Sequence, residues 1–133
     1  MKKNLNLGLL ILRLAVGVLM LLHGIAKLSN GIGFIENQLQ TSGMPGFLAY
    51  GVYIGEVLVP ILIILGILTR LSALLLIINC IVAALLFHTN EIFSLSQTGG
   101  WSIELLGLYA LGALVLYFTG GGKYAFKTKG KWD

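Results

Sequence analysis

Residues 5–28, LNLGLLILRLAVGVLMLLHGIAKL, form an apolar run that nevertheless carries Arg13, His23 and Lys27. At about 1.5 Å of rise per residue, a helix of this length crosses the roughly 30 Å hydrocarbon layer of a bilayer. Arg or Lys held at that depth costs about 2.5–3.5 kcal/mol on insertion scales, so these groups require carboxylate partners or a wet cavity. Arg13, Gly17, Met20, Gly24 and Lys27 recur at steps of four and three, which places them on one helix face with His23 beside it. That face is predicted to point into a bundle rather than at lipid. Gly17 and Gly24 on it would let a neighbouring helix come close, although glycine is also simply common in membrane helices.

The remainder of the chain agrees with a membrane setting. Of 133 residues, 57% are hydrophobic and 11% charged, and the mean hydropathy is +0.94. A soluble domain carries about 25% charged residues, so this chain cannot cover a water-facing surface. One domain is expected at this length. The net charge of +4 does not imply nucleic acid, because the basic residues other than Arg13 and Lys27 sit at the chain ends and one turn, where membrane topology accounts for them. The single cysteine, Cys80, lies in an apolar run. It excludes an intrachain disulfide and a C-x-x-C site for dithiol or zinc chemistry, and reads as a small core residue. Met1-Lys2-Lys3 before an apolar run imitates a signal peptide, but the run continues to Leu28 with no A-x-A-like site. An uncleaved first transmembrane helix is expected.

Three further spans follow, predicted at 47–68, 71–87 and 102–119. Between the first two spans, Ile32, Ile35 and Leu39 recur at helical spacing after Ser29 and Asn30, two potential caps. They predict a short amphipathic helix in the headgroup region over the bundle mouth, either a lid or a plain connector. The second span carries Glu56 and, four residues on, Pro60. Proline has no backbone N–H to donate and crowds the carbonyl of Glu56, which predicts a kink and a freed carbonyl there. The third span has no charge; Asn79 is its strongly polar group, expected to make a structural interhelical hydrogen bond. In the fourth, Ser102 is the candidate cap and Glu104 falls in the first turn, where the helix dipole favours a carboxylate. The expected fold is therefore an all-α, up-down-up-down bundle of four transmembrane helices with one interfacial helix.

Charge predicts orientation. Lys2, Lys3, Arg70 and the tail lysines Lys123, Lys127, Lys129 and Lys131 fall on one side, and Lys27, Glu36 and Glu91 on the other. The positive-inside rule then expects both termini in the cytoplasm, and the inner (cytoplasmic) membrane as the location. Counted along the helices, Arg13 lies about 12 Å from one end of the first span and Glu56 about 13–14 Å from the opposite end of the second. At those backbone depths an Arg13–Glu56 pair near mid-membrane is expected. His23, Lys27 and Glu104 form a second expected cluster in the outermost turns. These charges either pair for packing or line a cavity that binds a polar head group or relays protons. No residue is assigned a catalytic role, and two histidines without ligand spacing predict no metal site.

The ordered motifs resemble one family. Leu12-Arg13-Leu14, Gly17 and His23-Gly24-x-x-Lys27-Leu28 look like the opening of DoxX proteins. Gly33-Phe34-Ile35, Gly43-Met44-Pro45, Ala49-Tyr50 with Glu56, and Gly66-x-x-Thr69-Arg70 follow in order. Glu104-Leu105 with Tyr109 and Gly120-x-Gly122-x-Tyr124 complete the match. The resemblance implies a four-helix membrane protein and an association with thiosulfate:quinone oxidoreductase or other membrane redox assemblies. A quinone is then the candidate ligand, placed between the first, second and fourth spans with Arg13, His23 and Glu104 as hydrogen-bonding groups. The partners to expect are the lipid bilayer, a redox protein and a second copy of the chain. A non-enzymatic scaffold and a small proton-linked transporter are the alternatives.

Overall fold

The computed structural model describes residues 4–126 and 130–133. Lys2, Lys3, Lys127 and Lys129, four of the residues used to assign orientation, lie outside the described residues. The chain forms α1 (Leu5–Asn30), α2 (Gly33–Thr41), α3 (Gly46–Leu65), α4 (Thr69–Phe87) and α5 (Glu104–Thr119). Three of them, α1, α3 and α4, are long and apolar enough to cross a membrane; α5 is equally apolar but has 16 residues, about 24 Å of helix. Contacts run from α1 to α3 and α5, from α3 to α4, and from α4 to α5, which closes a four-helix bundle. Gly24 meets Glu56 while Gly17 meets Pro60, and Val16 meets Gly112 while His23 meets Tyr109. Neighbouring helices are thus antiparallel, as the predicted alternation requires.

Helix ends depart from expectation where backbone chemistry decides them. Gly66 takes a left-handed φ of 74° and stops α3 at Leu65 rather than Leu68. Ser29 and Asn30 do not cap α2, because α1 continues through both. Ser102 does not cap α5; its hydroxyl pairs with that of Ser94 at 2.8 Å, and α5 begins after Ile103. The interfacial helix appears as α2, with Ile32, Ile35 and Leu39 buried against Ala49.

The disturbance at Pro60 takes the form of a π-turn over Ile54–Leu58, in which Val59 N–H donates to Ile54 O, five residues back. An α-register would need an N–H from residue 60 for the Glu56 carbonyl, and proline has none. That carbonyl lies against Gly24, where any side chain would overlap it. Gly17 likewise accommodates Ile64 and the Pro60 carbonyl. Both glycines therefore serve close approach of α1 to α3.

The bundle core is Met20, Val59, Ile63, Leu76, Tyr109 and Leu116 with smaller neighbours, including Cys80. Leu22, Ile25, Ile81, Leu85, Leu108 and Phe118 remain exposed around the rim, as a lipid-facing surface requires. At the end where the chain begins, residues after α5 fold across the bundle. Phe126 N–H donates to Leu65 O (3.1 Å), Lys123 N–H to the Asn6 side chain (3.0 Å), and Arg70 N–H to Trp132 O (3.0 Å). The larger cavity lies at the opposite, loop end, and a smaller one of about 370 Å³ lies at this terminal end among Thr69, Arg70, Gly120, Gly121 and Asp133.

Candidate functional site

Two rules of helix geometry sort the intramembrane charges. Side chains on a helix lean toward its N-terminus. On α1, Arg13 therefore leans toward the terminal end, and Lys27 leans inward from the loop end. On antiparallel α3, Glu56 leans toward the loop end. Arg13 and Glu56 diverge and Lys27 and Glu56 converge, although backbone depth alone favours the first pair.

The structure follows that lean. Lys27 Nζ lies 2.5 Å from both carboxylate oxygens of Glu56. The Glu56 side chain is 8% exposed and that of Lys27 23%, so the pair is desolvated mainly on the acidic side. The expected Arg13–Glu56 pair does not form. Arg13 is 1% exposed, and its Nε donates to Ile63 O (2.9 Å), Nη1 to Gly121 O (3.1 Å) and Nη2 to Ile64 O (2.6 Å). It sits at the negative end of the α3 dipole and satisfies the Ile64 carbonyl, which no backbone N–H reaches among the described residues. Gly66 leaves room for the guanidinium, since a Cβ there would press on Nη2.

At the loop end a cavity of about 900 Å³ lies among α1, α3, α4 and α5 beneath α2. Its volume is in the range of small-molecule sites, and its walls are mostly apolar, as such sites are. Polar groups on its wall include His23, Lys27, Glu56, Asn79 and Tyr109. Three of the five expected site residues, His23, Lys27 and Glu56, thus share one space. Arg13 and Glu104 lie outside it. Glu104 is exposed and sits beside Gly100 of its own preceding loop, because the first turn of α5 points it away from the interior. The hydrogen bond expected of Asn79 is not made among the described residues; its amide instead packs against Gly55 of α3.

Tyr109 is the residue that reasoning from charge passes over. It is 6% exposed, its ring meets that of His23 edge-on at 6.0 Å, and its hydroxyl makes no hydrogen bond among the described residues. Its position five residues after Glu104 puts it on the inner face of α5, a helical-spacing signal that was available in the sequence. No cluster of three or more metal-ligating side chains occurs among the described residues.

The family model for DoxX matches residues 8–89, from the start of α1 past the end of α4. The chain belongs to the DoxX family. Lys27, Glu56, His23 and Asn79 fall inside the matched DoxX region, whereas Tyr109 falls beyond it. A Bacillus subtilis (strain 168) protein named "Putative oxidoreductase CatD" is 31% identical over 75 residues, which is 56% of this chain. The chain spans about half of that relative, 55% of its length. No solved structure matches this DoxX protein. With its apolar helices, membership makes it a multi-pass integral membrane protein.

Proposed function

We propose that the protein is the membrane subunit of a quinone-linked redox assembly and that its loop-end cavity holds the quinone. One observation carries this reading: unused hydrogen-bond donors converge on an apolar cavity. The Tyr109 hydroxyl and the Asn79 amide have no partner among the described residues, and Lys27 retains a third N–H beyond the two directed at Glu56. Donors on an apolar wall suit a ligand that is greasy and carries carbonyl acceptors. The name of the Bacillus subtilis relative is consistent with redox work. A bound quinone would supply the electron-carrying chemistry. The chain's own part is to orient the carbonyls through Tyr109, Asn79 and Lys27, and to keep Lys27 positioned through Glu56.

A redox partner protein at the membrane surface completes this reading, since the chain has no second cysteine for dithiol chemistry; a second copy of the chain is a further candidate neighbour. The inner membrane with cytoplasmic termini fits the charge pattern: Arg70 and Lys123 are tied to the terminal end through Trp132 and Asn6. The scaffold alternative draws support from Arg13, whose three contacts are all packing contacts. The transporter alternative needs a continuous polar path, and the buried apolar side chains of Val59, Ile63, Leu76 and Leu116 separate the loop-end cavity from the terminal end.

The test is saturable binding of a tail-free benzoquinone to the purified protein. Binding that weakens in Tyr109→Phe and Lys27→Met is the expected result. Absence of saturable binding, or binding indifferent to both variants, overturns the reading.

A further inference from the structure

The wall of the cavity between α3 and α4 is not continuous. From Ile54 to Leu65, α3 rests on α4, but the preceding turn Gly51–Tyr53 has little contact with it. The two helices separate toward the loop end from the point where Gly55 touches Asn79. Above the gap, α2 bridges them: Gln38 Nε2 donates to Leu86 O at 2.9 Å, and the Phe34 and Phe87 rings lie 5.7 Å apart. The sides are Leu48 and Ile54 on α3 and Ile78 and Val82 on α4. All four line the cavity yet are about half exposed, at 47%, 53%, 47% and 46%. Between them, Gly51 also lines the cavity, and nothing stands within 4 Å of where its Cβ would be. The frame carries no charge, and Ile78 sits midway along α4, at hydrocarbon depth.

We propose that this gap is a lateral window through which an isoprenoid quinone reaches the cavity from the bilayer, its tail remaining in the gap between α3 and α4. The assignment rests on the quinone reading above and adds to it the route and the seat of the tail. Two features select the occupant. The uncharged sides of the gap run from the loop end down to the middle of α4 and open on lipid, which favours a ligand dissolved in the bilayer over a polar solute, because polar solutes do not travel through hydrocarbon. Lys27 and Glu56 neutralise one another, so the cavity offers no net charge to the phosphate of a phospholipid or to a fatty acid. A neutral head with carbonyl acceptors and a long apolar tail matches both the donors and the window.

The experiment measures binding of two probes, a tail-free benzoquinone and a polyisoprenoid benzoquinone, to the full chain in lipid nanodiscs. Gly51→Trp fills the window where space is open. Gly8→Trp is the control, since Gly8 also has nothing within 4 Å but lies outside the cavity. The expected result is a loss of affinity of at least about tenfold for the polyisoprenoid probe in G51W, with the tail-free probe changed less than about twofold. G8W should change neither. If G51W affects both probes alike, or neither, there is no window for the tail. Binding of the tail-free probe without the tailed one sinks the window and leaves the site standing. Failure of both probes to bind the unaltered protein sinks the site and the window together. Displacement of a co-purified phospholipid by G51W, with quinone binding unchanged, overturns the neutral-headed occupant.

Discussion

Removing Lys27 should cost far more than removing its partner, and the difference follows from burial. In Lys27→Met, the carboxylate of Glu56 stays beneath α2 with an 8% exposed side chain and no cation. Breaking a buried ion pair from one side costs about 3–5 kcal/mol. In Glu56→Gln, Lys27 is already 23% exposed and can extend its ammonium to the headgroups, so about 1–2 kcal/mol is expected. The double variant removes both charges and should lie within about 1–2 kcal/mol of the parent, because uncharged replacements leave nothing desolvated. The coupling free energy between residues 27 and 56 should therefore reach about 2 kcal/mol or more. The same cycle on Arg13 and Glu56 should be additive to within about 0.5 kcal/mol, as expected for groups that share no contact. Reversible unfolding in bicelles gives all six stabilities needed. A larger coupling for Arg13–Glu56 than for Lys27–Glu56 would refute the rule of side-chain lean used to sort the charges.

Three other outcomes can be checked with the same preparation. Arg13→Leu strands the carbonyls of Ile64 and Gly121 and should destabilise by about 3 kcal/mol or more; Arg13→Lys, with charge but no planar fork, should recover part of that loss. Benzoquinone affinity measured by titration should stay within about twofold in either variant, because Arg13 lies outside the cavity. Gly24→Ala drives a methyl into the Glu56 carbonyl and should cost about 1–3 kcal/mol in thermal unfolding, whereas Gly8→Ala should be neutral or stabilising by up to about 1 kcal/mol. Glu104→Gln changes an exposed side chain and should shift stability by less than about 0.5 kcal/mol, with no effect on benzoquinone binding.

The fold was legible because hydropathy and length alone decide it. Long apolar runs can only be helices in hydrocarbon, where every backbone group must be satisfied within the segment. Ile32, Ile35 and Leu39 foretold α2 for the same reason, through their spacing. Proline 60 announced a defect, but its resolution as a π-turn depended on Gly24 accepting the displaced carbonyl, a tertiary matter. The site was legible only in part. His23, Lys27 and Glu56 were visible as charged or polar groups in apolar runs. Their pairing was misread because depth was counted at the backbone, while an Arg or Lys side chain spans more than a helical turn. Glu104 was overvalued for the same reason: its charge was counted and the direction of its helix turn was not. Tyr109 was undervalued because a tyrosine in an apolar helix looks like packing until its hydroxyl is found with nothing to bind.

The Arg13 contact also orders events during synthesis. The guanidinium enters with the first helix, yet its bond to Gly121 O closes over a separation of 108 residues. A ribosome must reach residue 121 before that acceptor exists. Until then the nascent first helix holds an under-satisfied cation among lipids, and its surroundings, whether translocon, chaperone or water, must shelter it. Final locking of the bundle is thus a late step of biogenesis, and a stall before residue 121 leaves the N-terminal helix the segment most exposed to membrane quality control.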